Sequence, residues 1–396
     1  MRADATNESY YEDAFIDTTF LERRLVDTPE TRYAGVWSAS WAGTRNNRSA
    51  QYRLQTDVTV GDRLQREFAM LHWRDVGPDW TWSFDPSAEH RRDRTFGRDL
   101  AEWRAAVAAR ARRLFADDLT AAEFGARADL LRSSGVGSEF QPDRNGWSVF
   151  TAVDHLGLEG DEWRFGYAVT ARAFPDSVDR DHYEHLGEVR WRTRGGGNWL
   201  ALDANLTRRV TVRVVPTSRD NFWLGNSAVD ARVALPGAWS VGARAEGEAT
   251  RYDLQDSTLY FNYQVSRLGL LMRWEPNARW ALAIGPRVED LFAALDPAEE
   301  YREMSGSLGV EYIGARAWWS VTPSAGWRDY HSASGIGAHF LHSSYVFWGL
   351  DLIADQGLAA GLRLKAMGAF RWEYHEDPVQ NARSIYASLE LVRSLR

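Results

Sequence analysis

Residues 357–374 read GLAAGLRLKAMGAFRWEY, and the alternation in this stretch decides the fold. Its even positions are Leu358, Ala360, Leu362, Leu364, Ala366, Gly368, Phe370, Trp372 and Tyr374, with no polar residue among them. Its odd positions include Arg363, Lys365, Arg371 and Glu373. A helix would scatter both classes around its surface, whereas a strand sorts them onto opposite faces. The same period recurs elsewhere. Trp239, Val241, Ala243, Ala245 and Ala249 alternate with Ser240, Arg244, Glu246, Glu248 and Thr250. Trp163, Phe165, Tyr167, Val169 and Ala171 alternate with Glu162, Arg164, Thr170 and Arg172, and Ile385, Ala387, Leu389 and Leu391 with Ser384, Ser388 and Glu390.

The gaps between such runs alternate in length. Gly157–Gly160, Gly195–Gly197, Pro236–Ala238, Glu275–Asn277, Gly314–Ala315 and Ala354–Gln356 are tight. Between them fall the longer gaps at 175–184, 216–227, 252–256, 290–302, 331–342 and 375–381. An up-and-down sheet whose two ends face different compartments has this rhythm, because outer-membrane barrels carry short periplasmic turns and longer outer loops.

Alternation alone does not say which face is inside. Three features favour a membrane barrel with its apolar face outward. Runs of 13–18 residues exceed the ~5–6 usual in globular strands and suffice for a tilted span of about 9–11. Trp163, Trp199, Trp239, Trp274, Trp280 and Trp319 lie within a few residues of tight turns, and Trp372 lies near a strand end, as interfacial aromatics would. The polar faces carry many charges, which a packed interior accepts only when paired.

Thirteen strands are expected from Gly146 onward, and three upstream at Tyr33–Ala42, Ala50–Val60 and Arg63–Arg74. The total is sixteen, with 14 to 18 as the range. In this reading residues 75–145 form one long outer loop, and residues 1–32 form an acidic, aromatic periplasmic segment that plugs the mouth or binds a periplasmic protein. Asp99–Arg113 reads as a helix with Leu100, Trp103, Val107 and Leu114 on one stripe, and a second helix starts at Thr120, with Thr120 and Glu123 as a capping box. This insert holds Arg91, Arg92, Arg94, Arg98, Arg104, Arg110, Arg112 and Arg113. Folded into the lumen, it would narrow the pore and favour anions. The alternative is a solvated helical hairpin touching lipopolysaccharide phosphates.

An outward apolar face leaves Arg190, Arg192, Arg244, Glu246, Glu248, Arg363, Lys365, Arg371 and Glu373 lining the pore, where they either bias ion passage or pair across strands. Histidines 331, 339, 342 and 375, with Asp329, Ser343, Ser344 and Glu376, raise the alternative of an outer-loop hydrolase or metal site. Their spacing matches no metal-ligand pattern, and no G-x-S-x-G, H-E-x-x-H or P-loop occurs. The expectation is therefore a non-enzyme with no metal and no cofactor.

The chain has 396 residues, no cysteine and a net charge of −8, which argues against non-specific nucleic-acid binding. Lys365 is the one lysine among 47 basic residues. Met1–Asn7 lacks the basic and apolar regions of a signal peptide, so a leader is expected to have been removed before the barrel reaches the outer membrane. No flank is distinct enough to specify an oligomeric state.

Residues 33–394 resemble bacterial outer-membrane β-barrels of the sixteen-stranded porin type. The resemblance is one of architecture, and the chain ends Ser394-Leu395-Arg396 where such barrels commonly end in an aromatic residue. It implies a channel for small solutes surrounded by outer-membrane lipid. The alternatives are a barrel that exports or assembles a polysaccharide or surface protein with periplasmic partners, and a soluble β-rich carbohydrate-binding protein whose apolar faces form a core.

Overall fold

The computed structural model describes residues 2–16, 19–45, 50–61, 64–94, 99–117, 119–136, 142–212, 221–255, 262–295, 299–330, 343–358 and 362–393. Side chains are described from residue 39 onward, apart from 45, 136 and 393. Among the described residues twenty strands form one antiparallel sheet. The first seven are β1 (Arg2–Ile16), β2 (Thr19–Arg45), β3 (Ala50–Gly61), β4 (Leu64–Val76), β5 (Trp80–Asp93), β6 (Asp99–Leu114) and β7 (Thr120–Val136). Then come β8 (Arg144–Leu156), β9 (Glu162–Ala173), β10 (His182–Gly195), β11 (Asn198–Thr211), β12 (Phe222–Leu235), β13 (Trp239–Tyr252) and β14 (Tyr263–Asn277). The last six are β15 (Trp280–Ala293), β16 (Tyr301–Ile313), β17 (Ala317–Tyr330), β18 (Tyr345–Gly357), β19 (Leu362–His375) and β20 (Ala382–Arg393).

Each strand pairs with its neighbours in sequence, and β1 pairs with β20 from Arg2↔Glu390 to Ser9↔Arg383. The sheet therefore closes on itself and leaves no free edge. A circular barrel of twenty strands at ~4.8 Å spacing and ~40° tilt is roughly 40 Å across.

The thirteen strands expected after Gly146 correspond to β8–β20, but the total of sixteen and the helical insert are both corrected. Residues 80–136 form β5, β6 and β7, and among the described residues there is no α-helix. Ladders of fourteen and sixteen residue pairs tie β6 to β5 and β7, from Leu100↔Asp93 to Arg113↔Trp80 and from Asp99↔Val136 to Leu114↔Ala121. The supposed capping box is used otherwise. The Thr120 hydroxyl and backbone N–H both donate to Asp117, at 2.6 and 2.9 Å, closing the β6–β7 turn. Those bonds, the hydroxyl's first, hold the Asp117 carboxyl below the usual carboxylate range. Glu123 points instead to the polar face, 3.3 Å from Arg164.

Residues 2–16 and 19–32 also join the wall, as β1 and the start of β2, in place of the expected plug. Because three strands replace one loop, the sense of the upstream strands inverts. The β3–β4 connection, expected among the short turns, lies at the long-loop end, and the β2–β3 connection lies at the short-turn end.

Connections alternate through the barrel. At one end they include Gly196–Gly197, 236–238, 278–279 and 314–316; at the other, 174–181, 212–221, 253–262 and 331–344. Gly196, Gly197, Gly237 and Ala238 adopt positive φ, the backbone that tight hairpins require.

Pairing register carries one polar face around the sheet. Asp154 faces Arg164, Arg164 faces Arg190, Arg190 faces Asp203, Glu246 faces Arg267, Arg267 faces Glu289, Glu289 faces Glu303, and Glu303 faces Arg328. The opposite face carries Leu268, Leu270 and Met272, which stay 53%, 51% and 45% exposed. Among the described residues no large side chain is fully buried, so there is no packed core. Polar-face ion pairs also reach across an intervening strand: Arg164–Glu123 at 3.3 Å, Arg232–Glu275 at 3.3 Å and Arg273–Glu311 at 2.8 Å. The opposite face, this apolar and this exposed, suits lipid and not an enclosed wet lumen. The polar face is the inner one, and the apolar face points outward as in a membrane barrel.

Candidate functional site

Among the described residues the inner wall is the one place where chemistry-bearing side chains gather, and most are already matched. Arg164 on β9 is held between Asp154 at 2.9 Å, Glu188 at 2.9 Å and Glu123 at 3.3 Å. Arg190 meets Asp203 at 2.8 Å, Arg244 meets Glu246 at 2.5 Å, and Arg371 meets Glu373 at 2.6 Å. Arg363 meets Asp355 at 2.7 Å, and Lys365 lies 3.9 Å from Glu390. Charges on the same strand and on neighbouring strands thus neutralise one another locally, while enough exposure remains for them to be wetted.

Near the long-loop end the inner wall becomes aromatic and tyrosine-rich. Tyr263 donates to Glu248 at 2.7 Å, and Tyr301 donates to Glu289 at 2.6 Å. Arg328 binds Glu303 at 2.7 Å, with its guanidinium carbon 3.9 Å from the Tyr301 ring centre. Arg371 lies 4.2 Å from the Phe347 ring centre. Long-loop ends of β13–β19 therefore carry a band of hydroxyls, carboxylates and guanidiniums braced by rings. Tyr263, Tyr301, Arg328 and Phe347 had no signal in the sequence beyond their parity on alternating strands.

At the short-turn end a cavity of about 730 Å³ is lined by Arg192, Arg194, Trp199, Asp203, Asp230 and Arg244. Trp199 faces Arg194 and Arg232 in the register, which places it on the polar face, apart from the outward aromatics. Trp163, Trp239, Trp274, Trp280 and Trp319 lie on the apolar face at the short-turn end. There Trp239 stacks on Trp274 at 5.7 Å, and Trp280 meets Trp319 at 5.3 Å. Trp372 lies on the same face at the opposite end, stacked on Trp348 at 3.9 Å.

The arginines of 91–113 divide between the faces. Arg91, Arg104, Arg110 and Arg112 fall on the polar face, while Arg92 and Arg113 fall on the apolar face. Both of the latter sit near a strand end. Arg92 binds Asp99 at 2.6 Å and shares it with Arg94 in the adjoining loop, and Arg113 lies over Trp80. Arg98 lies outside the described residues. On the inner wall sequence reasoning also missed Arg53 and Arg74, one on each of two adjacent strands.

Histidines 331, 339 and 342 lie outside the described residues. Ser343 is buried, its hydroxyl donating to Gln380 at 3.1 Å and lying 2.9 Å from His375 Nδ1. His375 Nε2 is 3.6 Å from Glu373. With its hydroxyl enclosed in this way, Ser343 ties the start of β18 to the β19–β20 connection. Among the described residues no group of three histidine or carboxylate side chains could hold a metal ion.

No family model and no curated protein matches the sequence. Solved structures do. The chain aligns over 98% of its length with 79% of the siderophore receptor PirA from Pseudomonas aeruginosa, at 10% identity and a TM-score of 0.55. It aligns equally far with 80% of a point variant of the ferric enterobactin receptor PfeA from Pseudomonas aeruginosa, at 8% identity and 0.57. It also covers 79% of the copper transporter OprC, at 10% identity and 0.54. At such identities the likeness is one of fold, and the chain has the fold of a bacterial outer-membrane β-barrel.

Proposed function

We propose that this chain is an outer-membrane transport protein that admits a polar solute at the long-loop end and passes it along the inner wall. One observation carries the reading: a closed sheet of twenty strands with charged side chains on the inner face of β3–β20 and apolar side chains outside. Such a wall encloses water, and its outer surface is matched to lipid. The similar solved structures are named as receptors and a transporter, which favours a ligand-selective barrel over a general diffusion pore. The Tyr263–Tyr301–Arg328 band is the entry subsite in this proposal, because aromatic faces and paired charges bind polar solutes without leaving a buried charge unmatched. Outward tryptophans at both ends seat the barrel at the two lipid interfaces.

The test has two parts. Refolded protein run unboiled on a denaturing gel should migrate faster than boiled protein, as a closed barrel does. The same protein in a planar bilayer should give discrete conductance steps, smaller after Arg328→Ala rearranges the band. A barrel that never conducts and never moves solute into proteoliposomes refutes the proposal.

A further inference from the structure

Four arginines on β3, β4 and β6 form a basic patch on the inner wall, three of them without a carboxylate partner among the described residues. Register places them together. On the polar face Arg74 faces Ser83, and Ser83 faces Arg110. Arg112 lies one inward-facing position along β6 from Arg110, and Arg53 is diagonal to Arg74. All four are within five residues of the short-turn ends of their strands. Strands ~4.8 Å apart and same-face neighbours ~6.8 Å apart place Arg74, Arg110 and Arg112 within roughly 12 Å of one another along the backbone, with Arg53 at the margin, roughly 20 Å from Arg112.

What distinguishes the patch is the lack of counter-charge. Arg164, Arg190, Arg244, Arg273, Arg328 and Arg371 each have a carboxylate within 2.9 Å. Arg53, Arg74 and Arg112 have no ion pair or hydrogen bond among the described residues. Arg110 comes no nearer than 4.0 Å to Glu123, a carboxylate that also binds Arg164. The other local carboxylate, Asp85, is engaged by His72.

Arg110 is also placed. Its guanidinium carbon is 5.8 Å from the centre of the Phe150 ring, and that ring occupies the space beside Gly125, where a Cβ would come within 2.2 Å of it. A phenylalanine on a polar wall and a glycine facing Arg110 make sense together: the missing side chain lets the ring lie flat beneath the cation.

We infer that this patch is an oxyanion subsite for a solute carrying at least two phosphate or carboxylate groups, close to the periplasmic end of the lumen. Guanidinium pairs with both kinds of oxyanion through two parallel hydrogen bonds. Ser83, Thr81 and Gln51, interleaved with the arginines, add neutral donors. The inference deepens the transport reading and rests on it for the solute's route, but binding itself needs no flux.

The experiment is isothermal titration of refolded full-length protein with pyrophosphate and, separately, citrate, in 50 mM and 500 mM KCl. Wild type should bind at least one of the two, more weakly by tenfold or more at the higher salt, and the preference between them identifies phosphate or carboxylate as the group recognised. The triple variant Arg53→Gln/Arg74→Gln/Arg112→Gln, confirmed closed by its unboiled gel mobility, should lose at least tenfold. Arg190→Gln, which removes a paired arginine, should stay within twofold of wild type. If the triple variant does not close, Arg74→Gln alone should lose threefold or more. No binding of either anion by wild type, or equal binding by the Arg74 variants, overturns the subsite. A barrel that binds but never conducts keeps the subsite and overturns transport, and one that conducts without binding does the reverse.

Discussion

Strands β6–β7 and strands β18–β19 occupy the same kind of place in the same wall, yet their sequences look unlike each other. In β18–β19 the outward face is Leu350, Leu352, Leu364, Phe370 and Trp372, and the inward face carries Asp355, Arg363, Arg371 and Glu373. In β6–β7 the outward face is largely Ala105, Ala109, Ala111, Ala122 and Ala126, relieved by Trp103 and Phe124. Alanine also stands on the inward face, at Ala106 and Ala108. A residue that suits helix, either face and any environment erases the period of two, and its helix propensity then supplies a false signal. The small outward side chains leave a consequence in shape. Trp73, Trp82, Phe84, Phe124 and Val149 surround an apolar cavity of about 780 Å³ over this alanine floor. The inner faces differ too: around β18–β19 guanidinium and carboxylate pair one to one, whereas β3–β6 leave three arginines unmatched.

If pairing is what distinguishes the two walls, removing a paired arginine should cost far more than removing an unpaired one. Arg164→Ala strands Asp154, Glu188 and Glu123 together and should lower stability by about 2–3 kcal/mol in urea titration of the lipid-reconstituted barrel. Gly125→Ala probes the alanine-rich wall. Its new methyl would displace the Phe150 ring, at a cost of about 1–2 kcal/mol, and should weaken oxyanion binding by moving Arg110. A loss of stability without loss of binding would separate the ring from the arginine's placement.

A third change tests pairing outside the lumen. Arg208, on the outward face of β11, reaches over the Trp223 ring to Asp253 in the β13–β14 connection, with hydrogen bonds of 2.7 and 2.5 Å. Those bonds hold the Asp253 carboxyl below the usual carboxylate range. A depressed carboxylate stabilises the fold above its unfolded pKa, and that contribution disappears as pH falls through the lower, folded value. Asp253→Asn should therefore cost about 0.5 kcal/mol at neutral pH and nothing in strong acid, with the two unfolding curves converging as pH falls below ~3.9. The smallest effect belongs to the unpaired side: Arg74→Ala should leave stability within about 0.5 kcal/mol of wild type. A larger loss would mean that the patch is structural and that the contrast between the walls fails.

Legibility followed the same division. Sequence reading placed thirteen strands after Gly146 because Leu, Phe and Trp alternate there with charge, as Trp239–Arg251 does within β13 (Trp239–Tyr252). It also assigned Arg190, Arg244, Arg363 and Glu373 to the polar face from parity alone, and the register agrees. It read β5–β7 as a loop because Ala and Arg dominate them, and it set residues 1–32 apart because their charges obscured the alternation. It could not have found the Arg53–Arg74–Arg110 patch. That patch exists only through register between strands, and reading the downstream β5–β7 segment as one loop reverses the direction of β3 and β4.

The seam between β1 and β20 has a consequence for how the molecule is made. Eight residue pairs join these strands, against eleven or more at every other junction, and the partners Arg2 and Glu390 lie at opposite extremes of the chain. Hairpins can zip locally and early, but this last ladder must wait until nineteen others are in order, since closing so long a loop is the slowest contact to form. Until then the molecule is a curled ribbon with two bare edges. Its assembly is therefore governed by how long those edges are kept from other partners, and the short seam is where a finished barrel would first unzip.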